Sequence, residues 1–311
     1  SREVYQLFID AGLRDQVVAA SKEAAARYLF HDGALAALPS GLGDLFRIPG
    51  LGRRGALRLL QEPFRRAHIP PEESVHDFLS RRVGSRAAEA LGDPMMAGIF
   101  AGDPRQIEVN SAFPQWVEWE RAHGSLVRGA SRHATTPPGG LPKGTFSVRG
   151  GLGALTDRLA ERLEEGLQLS TPVLGLSHTR TSVTLRTASG ESVHDHVVIT
   201  SPQSHARSLL PDAPSGWFDD LPMAPLAAIH LAYDGDAIPG GLPGFGWLAH
   251  SAQRRDALGC LWVSGTFPTH APHGSHLLRV MVGGSRAPEL ANRSDEALVA
   301  LARQLLADAQ G

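Results

Sequence analysis

Residues 144–163, GTFSVRGGLGALTDRLAERL, carry the change of pattern on which the fold turns. Thr145–Val148 reads as a strand, Gly150-Gly151 breaks it, and a helix is predicted from Leu152 to Leu163 by its apolar spacing. More strands follow at once: Val173–Ser177, then Ser182–Arg186 after a polar turn. Val197-Val198-Ile199-Thr200 is a β-branched run of the buried-strand type, closed by Ser201-Pro202 and another helix. Strand, glycine turn, helix and strand again predict an α/β fold of mixed α+β character.

Working outward, residues 1–50 hold a helix and a short hairpin. Tyr28-Leu29-Phe30 is one arm, Asp32-Gly33 the turn, and Leu35 to Leu38 the other arm. Residues 51–132 are predicted almost wholly helical, from Leu57, Leu59 and Leu60 through Val75, Phe78 and Leu79 to Ala87, Ala90 and Leu91. Residues 133–143 form a connector rich in proline and glycine. Beyond 210, strands are expected at Ala227–Tyr233, Gly259–Val263 and Leu277–Val282, with a terminal helix over Glu296–Ala309. The chain opens without methionine on the amphipathic stretch Val4, Leu7, Phe8, Leu13 and stops at that helix, the pattern expected of a piece of a longer protein.

Composition narrows the function classes. The 311 residues are 42% hydrophobic and 20% charged, with a formal net charge of −2, which gives no electrostatic case for nucleic acid. Lys22 and Lys143 are the only lysines, an arginine bias read as coding preference. Cys260 is the only cysteine, so neither an intrachain disulfide nor a thiolate cluster can form. No stretch of about 20 apolar residues occurs, and membrane attachment would have to be monotopic, through amphipathic helix faces. Trp116 and Trp119, three apart on one predicted helix, serve such a face or a helical core equally well.

Gly50-Leu51-Gly52-Arg53-Arg54-Gly55 fits GxGxxG, but Asp44–Pro49 before it is no buried strand, so a loop opening an Arg-rich helix is expected there. His194 and His196, and His270, His273 and His276, lack a cysteine or glutamate at ligand spacing, and no metal is expected. No GxSxG occurs. Three glycine-rich apolar segments remain: Met96–Pro104, Pro243–Leu248 and Met281–Arg286. Glycine among such neighbours marks close approach of backbone to another group, here a flat apolar ligand.

These segments, with Arg27-Tyr28-Leu29, Gly33-Ala34-Leu35, Glu62-Pro63-Phe64 and Phe146–Leu152, resemble in order and spacing the protoporphyrinogen oxidase family of the monoamine oxidase-like flavoproteins. The resemblance implies non-covalent FAD and a tetrapyrrole substrate. The implied reaction is oxidation of protoporphyrinogen IX to protoporphyrin IX in heme biosynthesis, with O2 as acceptor. Oxidation of coproporphyrinogen III stands as the alternative, along with an inactive porphyrin-binding relative. By the match, residues 1–50 are a substrate-domain segment, 51–143 a helical domain open to membrane contact, 144–210 the middle of the FAD-binding domain, and 211–311 a substrate-binding sheet with its terminal helix.

The same match implies Arg27 as the partner of a substrate propionate, with pocket walls at Gly98, Phe245, Gly246, Leu248, Leu261 and Met281. It places Val173, Gly150, Gly151, Ser201 and Pro202 near the cofactor and nominates no general acid or base. The family's GxGxxG unit is expected before Ser1 and its last flavin segment after Gly311, so the 311-residue chain by itself is expected to hold FAD weakly and to be inactive. A cytoplasmic location, or a peripheral one on the inner face of the cytoplasmic membrane, goes with the match, and a homodimer is left open.

Overall fold

Eleven strands are defined in the computed structural model, which describes residues 2–39, 41–133, 144–214, 216–218 and 222–310. They are β1 (Val17–Ala19), β2 (Tyr28–His31), β3 (Ala34–Ala37), β4 (Phe146–Val148), β5 (Gly175–His178), β6 (Val183–Thr187), β7 (Gly190–His194), β8 (Leu226–Asp234), β9 (Gly246–Ala249), β10 (Gly259–Trp262) and β11 (Ser275–Gly283). The main sheet runs β3-β2-β9-β10-β11-β8, antiparallel except for the parallel pair β2 and β9. Contacts divide the chain into one unit of Ser1–Leu155 with Ala224–Gly311 and a second of Thr156–Met223. The expected hairpin and the three late strands are all present; β1, β7 and β9 have no counterpart among the expected strands.

Period-two alternation gives the sheet two different faces. Phe30, Trp247, Ala249, Cys260, Trp262, Leu278 and Val280 form one face and pack against Leu298, Ala302 and Leu305 of the terminal helix Asp295–Gln310. Leu278 and Val280 are wholly buried, each worth about 1.5–3 kcal/mol relative to exposure. Leu29, Gly246, Leu248, Leu261 and Met281 alternate with these residues and belong to the other face, which carries the cavity described below.

Most of residues 52–132 is helical, as the spacing predicts, in Gly52–Leu60, Val75–Val83, Ser85–Ala87, Asp93–Phe100, Val109–Ala112, Pro114–His123 and Leu126–Arg132, but 65–74 and 101–108 are not. Ser74 caps the second of these, its hydroxyl accepting from the Asp77 N–H at 3.1 Å. A π-helical stretch, Ala88–Gly92, joins Ser85–Ala87 to Asp93–Phe100 without a break. Trp116 stacks on Phe113 at 3.9 Å, and a Cβ on Gly129 would come within 2.3 Å of Trp119, so both tryptophans belong to helix packing. No described helix is long and apolar enough to cross a membrane.

At the centre of these helices sits a network of ions. Arg82 donates to Glu62 and, at 3.2 Å, to Glu120; all three side chains are fully buried. Arg81 reaches Glu120 at 2.7 Å and Glu73 at 2.8 Å. Ser125 and the Leu126 N–H serve Glu62, and the His68 N–H serves Glu120. Charge can be buried at this depth because every carboxylate here is paired and hydrogen-bonded.

The GxGxxG string opens the helix Gly52–Leu60 and follows the 3-10 turns of Leu42–Arg47, so no strand precedes it, as expected. One strand expectation fails. Val197–Thr200 forms no strand, and Val198 is 85% exposed. A β-branched run becomes a buried strand only when a neighbour takes its backbone groups and layers cover its side chains; here no described strand pairs with it, and Val197 and Ile199 are only half-buried. His196 likewise falls outside β7, while His194 pairs with the Ser192 hydroxyl at 2.9 Å. The connector expected at 133–143 lies, from residue 134 on, outside the described residues.

Candidate active-site cavity

The parallel pairing of β2 with β9 sets Tyr28 against Trp247, Leu29 against Leu248 and Phe30 against Ala249. Two residues before the first of these pairs, the Phe245 N–H donates to the Ala26 carbonyl at 2.8 Å. Arg27 and Phe245 are thereby neighbours although they come from opposite ends of the chain. The Arg27 guanidinium carbon lies 5.1 Å from the centroid of the Phe245 ring, a cation–π contact. Among the described residues Arg27 makes no ion pair.

Both residues line a cavity of about 500 Å³. Its floor is the second face of the sheet: Leu248 stands opposite Gly259, Gly259 opposite Met281, and Leu261 opposite Gly246. A Cβ on Gly246, where φ is +131°, would lie 2.1 Å from the Cys260 carbonyl oxygen, so the strand can pass only as glycine. The facing wall comes from Leu91, Pro94, Met95, Gly98 and Ile99. A Cβ on Gly98 would approach Leu248 Cδ2 to 2.6 Å; its absence lets the helix Asp93–Phe100 close down on the sheet.

That wall is pinned beside its first turn. Asp93 accepts from Arg286 at 2.5 Å and from the Ser251 N–H at 2.9 Å, tying the helix to the loops that follow β11 and β9. The residues expected to contact substrate, namely Arg27, Gly98, Phe245, Gly246, Leu248, Leu261 and Met281, thus meet around one cavity. Among the described residues Arg27 is the only charged one lining it, so the space suits a large apolar body carrying an anionic group at its edge. Leu91, Pro94, Met95 and the clamp Asp93–Arg286 were not foreseen; Arg286 ends a quoted glycine segment, but its partner can be found only in three dimensions.

Cys260 lies on the opposite face, where burial pushes its thiol up to about 12; it is a packing residue and not a thiolate. No group of three or more His, Cys, Asp or Glu side chains able to hold a metal occurs among the described residues.

The cofactor expectations fall in both units. In the first, Gly150 and Gly151 adopt φ of +80° and +94° after β4, and nothing lies within 4 Å of either missing Cβ. In the second, His205 Nε2 lies 3.3 Å from the Val173 carbonyl, and Pro202 precedes the helix Gln203–Leu209 that carries His205. The Val173 N–H finds no partner among the described residues, and the Ser201 hydroxyl is buried without one. A buried orphan hydroxyl calls for an external partner, so these residues fit a polar group such as part of a dinucleotide.

A model of the flavin containing amine oxidoreductase family matches residues 1–311. Protoporphyrinogen oxidase 1, chloroplastic, of Spinacia oleracea is 31% identical over 337 residues, covering 98% of this chain and 59% of its own length. Human protoporphyrinogen oxidase is 32% identical over 281 residues, covering 83% of the chain and 58% of its own length. A solved structure from Exiguobacterium sp. 255-15, of a protein provisionally assigned as a protoporphyrinogen oxidase, superposes with a TM-score of 0.79 at 26% identity over 97% of this chain and 68% of that one. The chain therefore spans less than two thirds of the length of these two curated relatives.

Proposed function

The chain belongs to the flavin containing amine oxidoreductase family, and on that premise we propose that it holds the substrate of an FAD-dependent protoporphyrinogen IX oxidase. The observation that carries this reading is the apolar cavity with Arg27 as its single charged lining residue among those described. The macrocycle is to be buried between the sheet floor and the helix wall, and Arg27 fixes its register by taking one propionate in a two-pronged hydrogen bond. Closing the helix wall over the macrocycle keeps water from the carbon that is oxidised. Bound FAD supplies the oxidation itself, with O2 as the final acceptor. Gly150 and Gly151, and separately Val173, Ser201 and Pro202, keep their proposed parts in holding it. Monotopic membrane contact is proposed for the helical region, where Leu57 and Phe64 are exposed.

Coproporphyrinogen III is the second reading, favoured by Arg279. In β11 it stands opposite Leu261, on the cavity face of the sheet, with its guanidinium turned onto His230 at 2.7 Å. Such a cation could serve further propionates. Because Arg279 does not line the cavity, the substrate with fewer carboxylates stays the first choice.

The test is steady-state oxidation by the FAD-loaded enzyme, followed by porphyrin fluorescence. Arg27→Ala and Arg27→Lys are expected to raise KM about 5- to 150-fold, the equivalent of ~1–3 kcal/mol for a charge-assisted pair. The propionate is remote from the reacting carbon, so kcat should change little. Arg279→Ala should leave protoporphyrinogen oxidation unchanged. Wild-type kcat/KM in both Arg27 variants would remove Arg27 from the proposal.

A further inference from the structure

The helical region holds a separate recess of about 400 Å³ whose charged lining, among the described residues, is Arg54, Arg58, Arg65 and Arg86, with no carboxylate. Glu62 is engaged with Arg82, Glu73 with Arg81, and Glu120 with both arginines, while Glu89, which lines another pocket with Arg86, does not line this one. Arg58 donates to the carbonyls of Arg82 at 3.0 Å and Arg81 at 2.8 Å, and Arg65 reaches the latter at 3.4 Å. These carbonyls end the helix Val75–Val83, whose partial negative charge holds the two guanidiniums in place without neutralising them. Burial, then the charges of Arg65 and Arg82, keeps Arg58 below its ordinary pKa, the mark of cations crowded without a full counter-charge.

Neutral donors meet the same recess. The Ser80 hydroxyl, part of its lining, is buried and has no hydrogen-bond partner. Ser85 and Arg86 open the unbroken helical run that continues to Phe100, and their N–H groups find no acceptor among the described residues. Gly84, at φ +98°, leaves room for the Arg58 stem, since a Cβ there would lie 2.6 Å from Arg58 Cγ.

We propose that this recess is a binding site for a phosphate-class oxyanion, borne either by a soluble phosphate or by a lipid headgroup. Guanidinium forks, a hydroxyl and helix-opening N–H groups together match the several acceptor oxygens of such a group. A chloride ion can accept from the same donors but is a single spherical acceptor, so it matches that arrangement less well than an oxyanion does. The site is distinct from the cavity that holds Arg27, and it does not depend on which porphyrinogen is oxidised.

Titration of the full chain with inorganic phosphate, read by calorimetry at constant ionic strength, tests it. Saturable one-to-one binding is expected, weakened about 10-fold or more in Arg54→Gln/Arg86→Gln, which alters exposed side chains only. Ser80→Ala, which leaves every charge in place, should weaken binding about 2- to 5-fold. No saturable binding by the wild type, or equal affinity in the double variant with an unchanged circular dichroism spectrum, would overturn the site. Co-sedimentation with phosphatidylglycerol vesicles, against phosphatidylcholine controls, separates the sources. Loss of sedimentation in the double variant assigns the site to a headgroup phosphate. Unchanged sedimentation alongside lost phosphate binding assigns it to a soluble one.

Discussion

Beneath the terminal helix, the main sheet buries Trp247, Cys260, Trp262, Leu278 and Val280 in an apolar cluster. Between the helices of residues 52–132, some of the most deeply buried side chains are ions: Glu62, Arg82 and Glu120, each fully shielded from solvent. Both arrangements lie in the same unit of the chain. The sheet side depends on volume and shape, and a missing methyl group leaves a void. The helical side depends on completeness, because each charge is tolerable only while its partners stay ionised and in place. Acid, truncation and neutral substitution should therefore act on the two regions in different ways.

The largest effect is expected from Arg82→Met. It strips Glu62 of its arginine and leaves Glu120 with Arg81 alone, and should cost about 3–5 kcal/mol, the usual result of breaking a buried ion pair from one side. Chemical denaturation of the variant measures it. A loss below that of an ordinary core truncation would remove the contrast between the regions. Next comes Leu278→Ala beneath the sheet, where a fully buried side chain is replaced by a void at a cost of about 3 kcal/mol. Its effect should be independent of pH, which denaturation at two pH values would show.

The smallest effect is the most selective. Burial opposes the charge on Glu62, but hydrogen bonds from Ser125, Arg82 and the Leu126 N–H outweigh it and hold the carboxyl below its ordinary range. Glu120 is held low in the same way, against its burial, by Arg81 and the His68 N–H. A carboxyl whose pKa is lower folded than unfolded contributes stability that is complete above the unfolded value, about 4.3, and is lost as pH falls through the folded one. Hydrogen exchange should thus show the amides of Val75–Val83 and Pro114–His123 losing protection as pH falls from about 5 towards 3, while those of β10 and β11 keep theirs. Equal loss in both regions would mean that the ions do not set the local stability of the helices.

Much of this molecule could be read from neighbours in the chain. The helices of 52–132, the hairpin of β2 and β3, the late strands β8, β10 and β11 and the terminal helix all follow from periodicity. Asp44–Pro49 showed that the GxGxxG string does not follow a strand, and the structure agrees. The cavity residues came from resemblance: nothing in the spacing of Arg27 or Gly98 distinguishes either from an ordinary surface arginine or turn glycine. Tertiary structure decided the rest. Val197–Thr200 has the composition of a buried strand but forms none, with Val198 exposed and Val197 and Ile199 only half-buried, because burial depends on what packs over a segment. Short β9 passes for a turn until β2 and β10 take its backbone on either side. Glu62, Arg82 and Glu120 are three ordinary charged residues in sequence and one network in space. Backbone preference and apolar periodicity act over a few residues and leave their mark in the order of the chain. Strand neighbours, charge partners and the covering of a face are set by segments far apart in that order, and only the folded chain brings them together.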